Sequence, residues 1–276
     1  MIVIVPCGGL GNLLFQYAAA WSHAKEQGQE LAALGWYPDV YTVRPKFGEY
    51  SRLFQNVKIL GTRADCTKTK DWHYDPDRYD LLKAVFLSGE TRVLKESSSR
   101  YSPIPPDARI LQGFFQSWKY FDKYRTEIRD ILRSNESEVS EVLPGSVCVH
   151  VRWGGDGKLV PYIHPVCSKE YYENAMKLFP GKKFLIFCEE PELVGDWAGP
   201  MIEIMNEPNP LKTFFLMSAC EHFIIANSSL SLMAYYMRIN EDARLVAPSN
   251  WFGPGGRDFD IYDFIKYSDN VTLLTA

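Results

Sequence analysis

The chain has 276 residues, with 30 Lys plus Arg against 34 Asp plus Glu and a formal net charge of -4. Its 46% hydrophobic and 23% charged residues are the composition of a packed globular protein, long enough for two domains. The balanced charge excludes duplex nucleic acid as a partner, because that binding needs clustered Lys and Arg against phosphates. No apolar run reaches the length that a membrane-spanning helix requires.

The opening MIVIVPCGGLGN lacks a basic stretch before its short apolar run, so it is expected to be a first strand rather than a signal peptide. None of the 6 cysteines falls in a CxxC pair, which fits a reducing compartment. The expected location is cytoplasmic, with peripheral contact to the inner face of a membrane left open.

Residues 2–5 are continuously apolar, as in a strand buried on both faces of a parallel sheet. A glycine turn follows, and Asn12 is the expected N-cap of a helix over residues 13–25. Residues 30–34 read as a second strand. Residues 35–80 mix aromatics, prolines and charges without a clear register. A strand is expected at 109–111 and a helix at 120–133, with Phe121, Tyr124, Ile128, Ile131 and Leu132 inward. Polar residues 134–138 and the run 142–145 mark the expected domain boundary.

The second half alternates more cleanly. Strands are expected at 147–151, 184–188, 201–205, 222–226 and 245–247. Helices are expected after an N-cap at Ser168, over 211–219, over 229–237 and over 259–264. Such alternation predicts an α/β architecture of two Rossmann-like domains, residues 1–140 and 141–276, facing across a cleft. Ligands of parallel sheets bind beyond the carboxyl ends of strands. Three segments fall there: 8–12, 152–157 and 227–229.

The first, GGLGN, has Gly9 and Gly11 where a dinucleotide fingerprint wants its first two glycines and Glu30 where it wants an acid. Leu14 stands in place of the third glycine, which argues against NAD or FAD. The loop is either a tight turn or a backbone surface (Gly9, Leu10, Gly11, Asn12) touching a ligand.

In the second, Arg152 leaves a buried strand and enters a glycine-rich turn. Its guanidinium is a rigid fork for phosphate oxygens, and a structural ion pair is the alternative. Strand alternation puts Cys148, His150 and Arg152 on one side. His150 is a ligand contact, a general base or a satisfied core histidine. Asp156 is a candidate base, a ribose ligand or a turn cap.

In the third, Asn227, Ser228 and Ser229 open a helix, where free backbone N–H groups hold anions; helix capping uses the same residues. Glu189 and Glu190 end the strand 184–188 and could hold a ribose or base. No His, Cys, Asp and Glu spacing makes a convincing metal site, and the run DWHYD at 71–75 lacks a second ligand set.

These residues resemble a known family. GGLGNLLFQYA at 8–18, LQGFFQSWKYF at 111–121, His150-Val151-Arg152, MSACEHFIIANSSLS at 217–231 and APSNWF at 247–252 are similar, in order, to motifs of the family 11 glycosyltransferases, the α-1,2-fucosyltransferases. The resemblance implies a GT-B-like fold, GDP-β-L-fucose as donor substrate, inversion at the fucose anomeric carbon, an acceptor glycan, and no essential metal or other cofactor. It places the nucleotide in the C-terminal domain, with Arg152 on the pyrophosphate and Asn227, Ser228 and Ser229 nearby. It brings Gly9, Leu10, Gly11 and Asn12 toward the donor from the N-terminal, acceptor-side domain.

The chain departs from the family pattern at three places. Trp153 replaces the second arginine of its His-x-Arg-Arg-Gly-Asp motif. Gly155 takes the aspartate position, with Asp156 one residue late. Leu232-Met233 replaces a Trp-Trp pair. The alternatives are transfer of another deoxysugar such as rhamnose, and a noncatalytic carbohydrate-binding protein.

Overall fold

The computed structural model describes residues 1–34, 57–60, 92–96, 99–134, 141–154, 162–256 and 258–276. The chain forms two compact units, one of Met1–Ser97 with Tyr101–Phe115, the other of Ser98–Arg100 with Gln116–Ala276.

The first unit holds strands β1 (Ile2–Ile4), β2 (Leu31–Leu34), β3 (Lys58–Leu60), β4 (Arg92–Lys95) and β5 (Ala108–Gln112), with helix α1 (Leu10–Glu26) after β1. They pair in parallel in the order β3-β2-β1-β5-β4. Strands β2 and β3 lie to one side of β1; β4 and β5 lie to its other side, with β5 next to β1. The strand order therefore reverses between β1 and β5, the position at whose carboxyl edge ligands of such sheets bind.

The second unit holds α2 (Arg125–Ser134), β6 (Leu143–Val151), α3 (Lys169–Met176), β7 (Lys183–Cys188), β8 (Ile202–Met205), α4 (Pro210–Ala219), β9 (Cys220–Ile224), α5 (Ser229–Tyr236), β10 (Leu245–Pro248), α6 (Ile261–Phe264) and β11 (Val271–Leu274). The parallel order is β11-β10-β9-β6-β7-β8. Counted from β6 this is the doubly wound order 3-2-1-4-5-6, whose reversal lies between β6 and β9.

Strand β6 shows how the sequence builds this unit. Val147, Val149 and Val151 join a buried cluster with Tyr171, Tyr172 and Ala175 of α3. Each such valine, once fully buried, contributes roughly 1.5–3 kcal/mol. The even residues face the other way, and His150 meets Ser231 of α5. A strand covered on both faces must be apolar throughout, which is why its run is continuous.

Several expected boundaries shift. Helix α1 starts at Leu10, with Gly9 as N-cap, so Asn12 is inside the helix. Gly8 adopts φ +79, a left-handed turn that starts the helix early, and Asn12 packs where a Gly8 side chain would stand. Residues 118–124 form two 3-10 turns, and the α-helix expected at 120 begins at Arg125. Of its expected inner face, Phe121, Ile128 and Leu132 are buried.

Strand β6 begins at Leu143, so Pro144 and Gly145 lie within it rather than in a linker. Its pairing with β9 is irregular between Leu143 and Val147, which accommodates the proline. Strand β9 begins two residues earlier than expected.

The units divide between Phe115 and Gln116, upstream of the expected boundary at 140. Tertiary bonds assign the intervening segment to the second unit. Arg125 donates to the Tyr236 carbonyl at 3.0 Å, and Arg129 to the Glu241 carboxylate at 2.8 Å. Arg133 donates to the Ser218 hydroxyl at 2.7 Å.

Candidate functional site

In the second unit, the carboxyl ends of β6 and β9 lie side by side at the reversal of strand order. Arg152 follows the last residue of β6, and its Nη1 donates to the Asn227 carbonyl at 3.5 Å. This is a long bond, at the outer limit of hydrogen-bond geometry. Asn227 is buried and spends its side chain on structure. Its Nδ2 donates to the Pro165 carbonyl at 2.8 Å and the Trp251 carbonyl at 3.1 Å. One amide thus ties three loops together: those after β6, β9 and β10.

Ser228 is the N-cap of α5 in extended conformation, without a side-chain capping bond. Ser229 opens the helix, whose first N–H groups have no partner within it. Uncapped amides and the positive end of the helix therefore lie beside the arginine, an arrangement suited to an anion.

His150 sits beneath them. Its Nδ1 lies 2.9 Å from the Ser231 hydroxyl, which donates to the Ser228 carbonyl at 3.3 Å. Tyr172 donates to the His150 carbonyl at 3.1 Å. Burial first, and the neighbouring Arg152 charge second, push the imidazole down to about 3. A ring that weakly basic stays neutral at pH 7 and is unsuited to general-base work. Its geometry instead fixes the start of α5.

Trp153 continues the inward face of β6. Its Nε1 donates to the Cys167 carbonyl at 2.7 Å, and its ring meets Trp197 edge-on at 5.2 Å and Tyr172 at 6.0 Å. By strand parity, the side chain after Arg152 faces α3 rather than the α5 side. On the other flank of β6, Glu190 rather than Glu189 lies against the loop. A side chain at Gly154 would meet the Glu190 carboxylate at 2.6 Å. Glu189 is exposed. Asp156 and the run at 71–75 lie outside the described residues. Among the described residues no group of His, Cys, Asp and Glu is arranged to hold a metal ion.

In the first unit, the amide end of α1 presents Gly9, Leu10, Gly11 and Asn12 at the reversal between β1 and β5. Two residues that sequence reasoning missed hold this edge. Buried Gln16 clamps Cys7, donating to its carbonyl at 2.6 Å and accepting from its N–H at 3.0 Å. The Glu96 carboxylate accepts from Phe114 N–H at 2.7 Å and Phe115 N–H at 3.0 Å. Phe115 is held there at φ 51 although it is not glycine, a strained state that surrounding bonds must enforce. The signal for Gln16 is its polarity within the apolar stretch 13–20 of that helix; Glu96 carried none.

The chain is 24% identical over 275 residues to the alpha-1,2-colitosyltransferase of Escherichia coli, covering 91% of this chain and 92% of that protein. It is 24% identical over 292 residues to the O-antigen biosynthesis glycosyltransferase WbnK of Escherichia coli, covering 89% and 93%. The solved fucosyltransferase NodZ from Bradyrhizobium aligns with 86% of this chain and 93% of its own, at 16% identity and a TM-score of 0.43. The sequence model of glycosyl transferase family 11 matches residues 77–254, more than half of the chain. The protein belongs to glycosyl transferase family 11.

Proposed function

We propose that the protein transfers L-fucose from GDP-β-L-fucose to a hydroxyl of an acceptor glycan, with inversion and an α-1,2 linkage. The observation that carries this reading is Arg152 beside the uncapped start of α5 at the strand-order reversal of the second sheet. Negative charge grows on a diphosphate as its bond to the sugar breaks. A fixed guanidinium and preoriented amides stabilise that charge more in the transition state than in the ground state. They supply the positive charge that a metal would otherwise bring, so the proposal needs none.

In this reading Arg152 contacts the diphosphate, and Ser228 and Ser229 add hydroxyl and amide donors. The amides of Gly9, Leu10, Gly11 and Asn12 are the candidate ligand contacts of the first unit. Glu189 and Glu190 are the candidates for the ribose hydroxyls, with Glu190 nearer the loop. His150 positions α5. Asp156 is the candidate base for the attacking hydroxyl, and a good leaving group lessens what that base must do.

A second reading, transfer of another nucleotide-activated deoxysugar, is favoured by the similarity to a protein named alpha-1,2-colitosyltransferase. Incubation with GDP-, UDP-, CDP- and dTDP-linked sugars, followed by NMR of the product, separates the two. Selective use of GDP-fucose to give an α-linked fucoside is expected. Preference for another GDP-deoxysugar supports the second reading, and preference for a UDP or dTDP donor overturns both the guanine and the fucose assignments.

A further inference from the structure

The proposed function gives Arg152 to the diphosphate and Glu189 and Glu190 to the ribose hydroxyls, and gives the base no stacking surface. Of the exposed large apolar side chains among the described residues, Tyr162 and Val166 flank the segment that Asn227 pins through the Pro165 carbonyl. Tyr162 lies three residues from that anchor, about 11 Å of extended chain at most. The residue is 66% exposed, but its backbone is fixed. The Gly253 N–H donates to the Ile163 carbonyl at 2.9 Å, and the Gly255 N–H to the Tyr162 carbonyl at 3.2 Å.

The glycine-rich turn after β10 is shaped around the ring itself. A methyl group on Gly255 would overlap the Tyr162 ring, and one on Gly253 would overlap the Tyr162 carbonyl. Beside it, His164 and Phe252 pack at 5.4 Å. The opposite flank of Arg152, by contrast, ends in the carboxylates Glu189 and Glu190. Aromatic surface at this sheet edge is therefore on the β10 side.

An exposed aromatic ring on an anchored backbone, in the segment that Asn227 pins through Pro165, suits a flat aromatic ligand group. We propose that the Tyr162 ring is the stacking face for the nucleobase of the donor, an inference that rests on the diphosphate reading of Arg152. Every base has a π face, so the ring supplies affinity rather than base identity. Gly255 is the positioning residue that leaves room for the ring.

Calorimetric titration of GDP and of inorganic pyrophosphate into wild type, Tyr162→Ala, Tyr162→Phe and Gly255→Ala tests this. The expected result is GDP binding weakened roughly ten-fold or more in Tyr162→Ala. Tyr162→Phe should bind GDP as wild type does, and pyrophosphate affinity should be the same in all four proteins. Gly255→Ala displaces an exposed ring rather than backbone, so it should fold normally and also lose GDP affinity. Unchanged GDP binding in Tyr162→Ala overturns the stacking proposal alone. Equal losses for GDP and pyrophosphate overturn it too, because they mark a general structural effect. Failure of wild type to bind either ligand sinks the donor reading on which it stands.

Discussion

Arg152 donates to the carbonyl of Asn227, joining the carboxyl ends of two adjacent parallel strands, β6 and β9, that lie 69 residues apart from the end of one to the start of the next. That bond places the Arg152 guanidinium beside the Asn227 backbone, where the strand order reverses. The side chain of Asn227 binds two further loops, so a single residue both orients the arginine and shapes its surroundings.

Asn227 is therefore expected to be a stability residue as well as a site residue. Asn227→Ala removes donors from the carbonyls of Pro165 and Trp251 and should cost about 1–3 kcal/mol. Asn227→Asp should cost more, because a carboxylate would face two carbonyl oxygens. Urea unfolding checks both; an Asp variant as stable as wild type would contradict the bonding described here.

The positions of Arg152 and Asn227 were legible in the sequence because each interrupts a run of buried apolar residues at the end of a strand. The doubly wound alternation of the second unit was legible for the same reason. Strands β3, β4 and β11 were not, since short edge strands carry little periodicity. The start of α1 was misplaced because the left-handed turn at Gly8 does the work expected of an Asn12 cap. The inward side of Trp153 follows from the same alternation that sets Arg152, but its ring contacts with α3 and with Trp197, like the bond of Glu96 between separate strand ends, leave no local pattern.

Trp153 stands where the motif resemblance expects a second arginine, and putting an arginine there should not improve transfer. Trp153→Arg would put a charge among Tyr172, Trp197 and the α3 face and leave the Cys167 carbonyl without its indole donor. A loss of about 3 kcal/mol or more is expected by thermal or urea unfolding. A stable variant with faster transfer would show that this side chain belongs to the substrate site.

His150 makes stability pH-dependent with a defined sign. Its folded value, about 3, lies below the ordinary histidine value of 6.5. The stability it contributes is present above about pH 6.5 and is lost as pH falls toward 3, with a slope approaching roughly 1.4 kcal/mol per pH unit. His150→Gln should flatten that acid limb relative to wild type while retaining a partner for Ser231. Equal slopes in both proteins would place the acid sensitivity elsewhere.

Glu96 holds Phe114 and Phe115 at the edge of the first sheet. Glu96→Ala should destabilise that unit by about 2–3 kcal/mol, and Glu96→Gln by less, because one amide oxygen still accepts. Hydrogen exchange at the Phe114 and Phe115 amides reads the effect locally. Unchanged protection in Glu96→Ala would contradict the assigned bonds.

The central claim is that Arg152 binds the diphosphate of a sugar nucleotide. The most direct measurement is GDP affinity and fucosyl transfer for wild type, Arg152→Lys and Arg152→Ala, with folding checked by circular dichroism. Arg152→Ala should lose GDP binding and cut transfer at least about a hundred-fold, the scale on which removing one transition-state donor acts. Arg152→Lys should fall between, since it keeps the charge and loses the fork. A folded Arg152→Ala protein that binds GDP and transfers fucose as wild type does would contradict the claim.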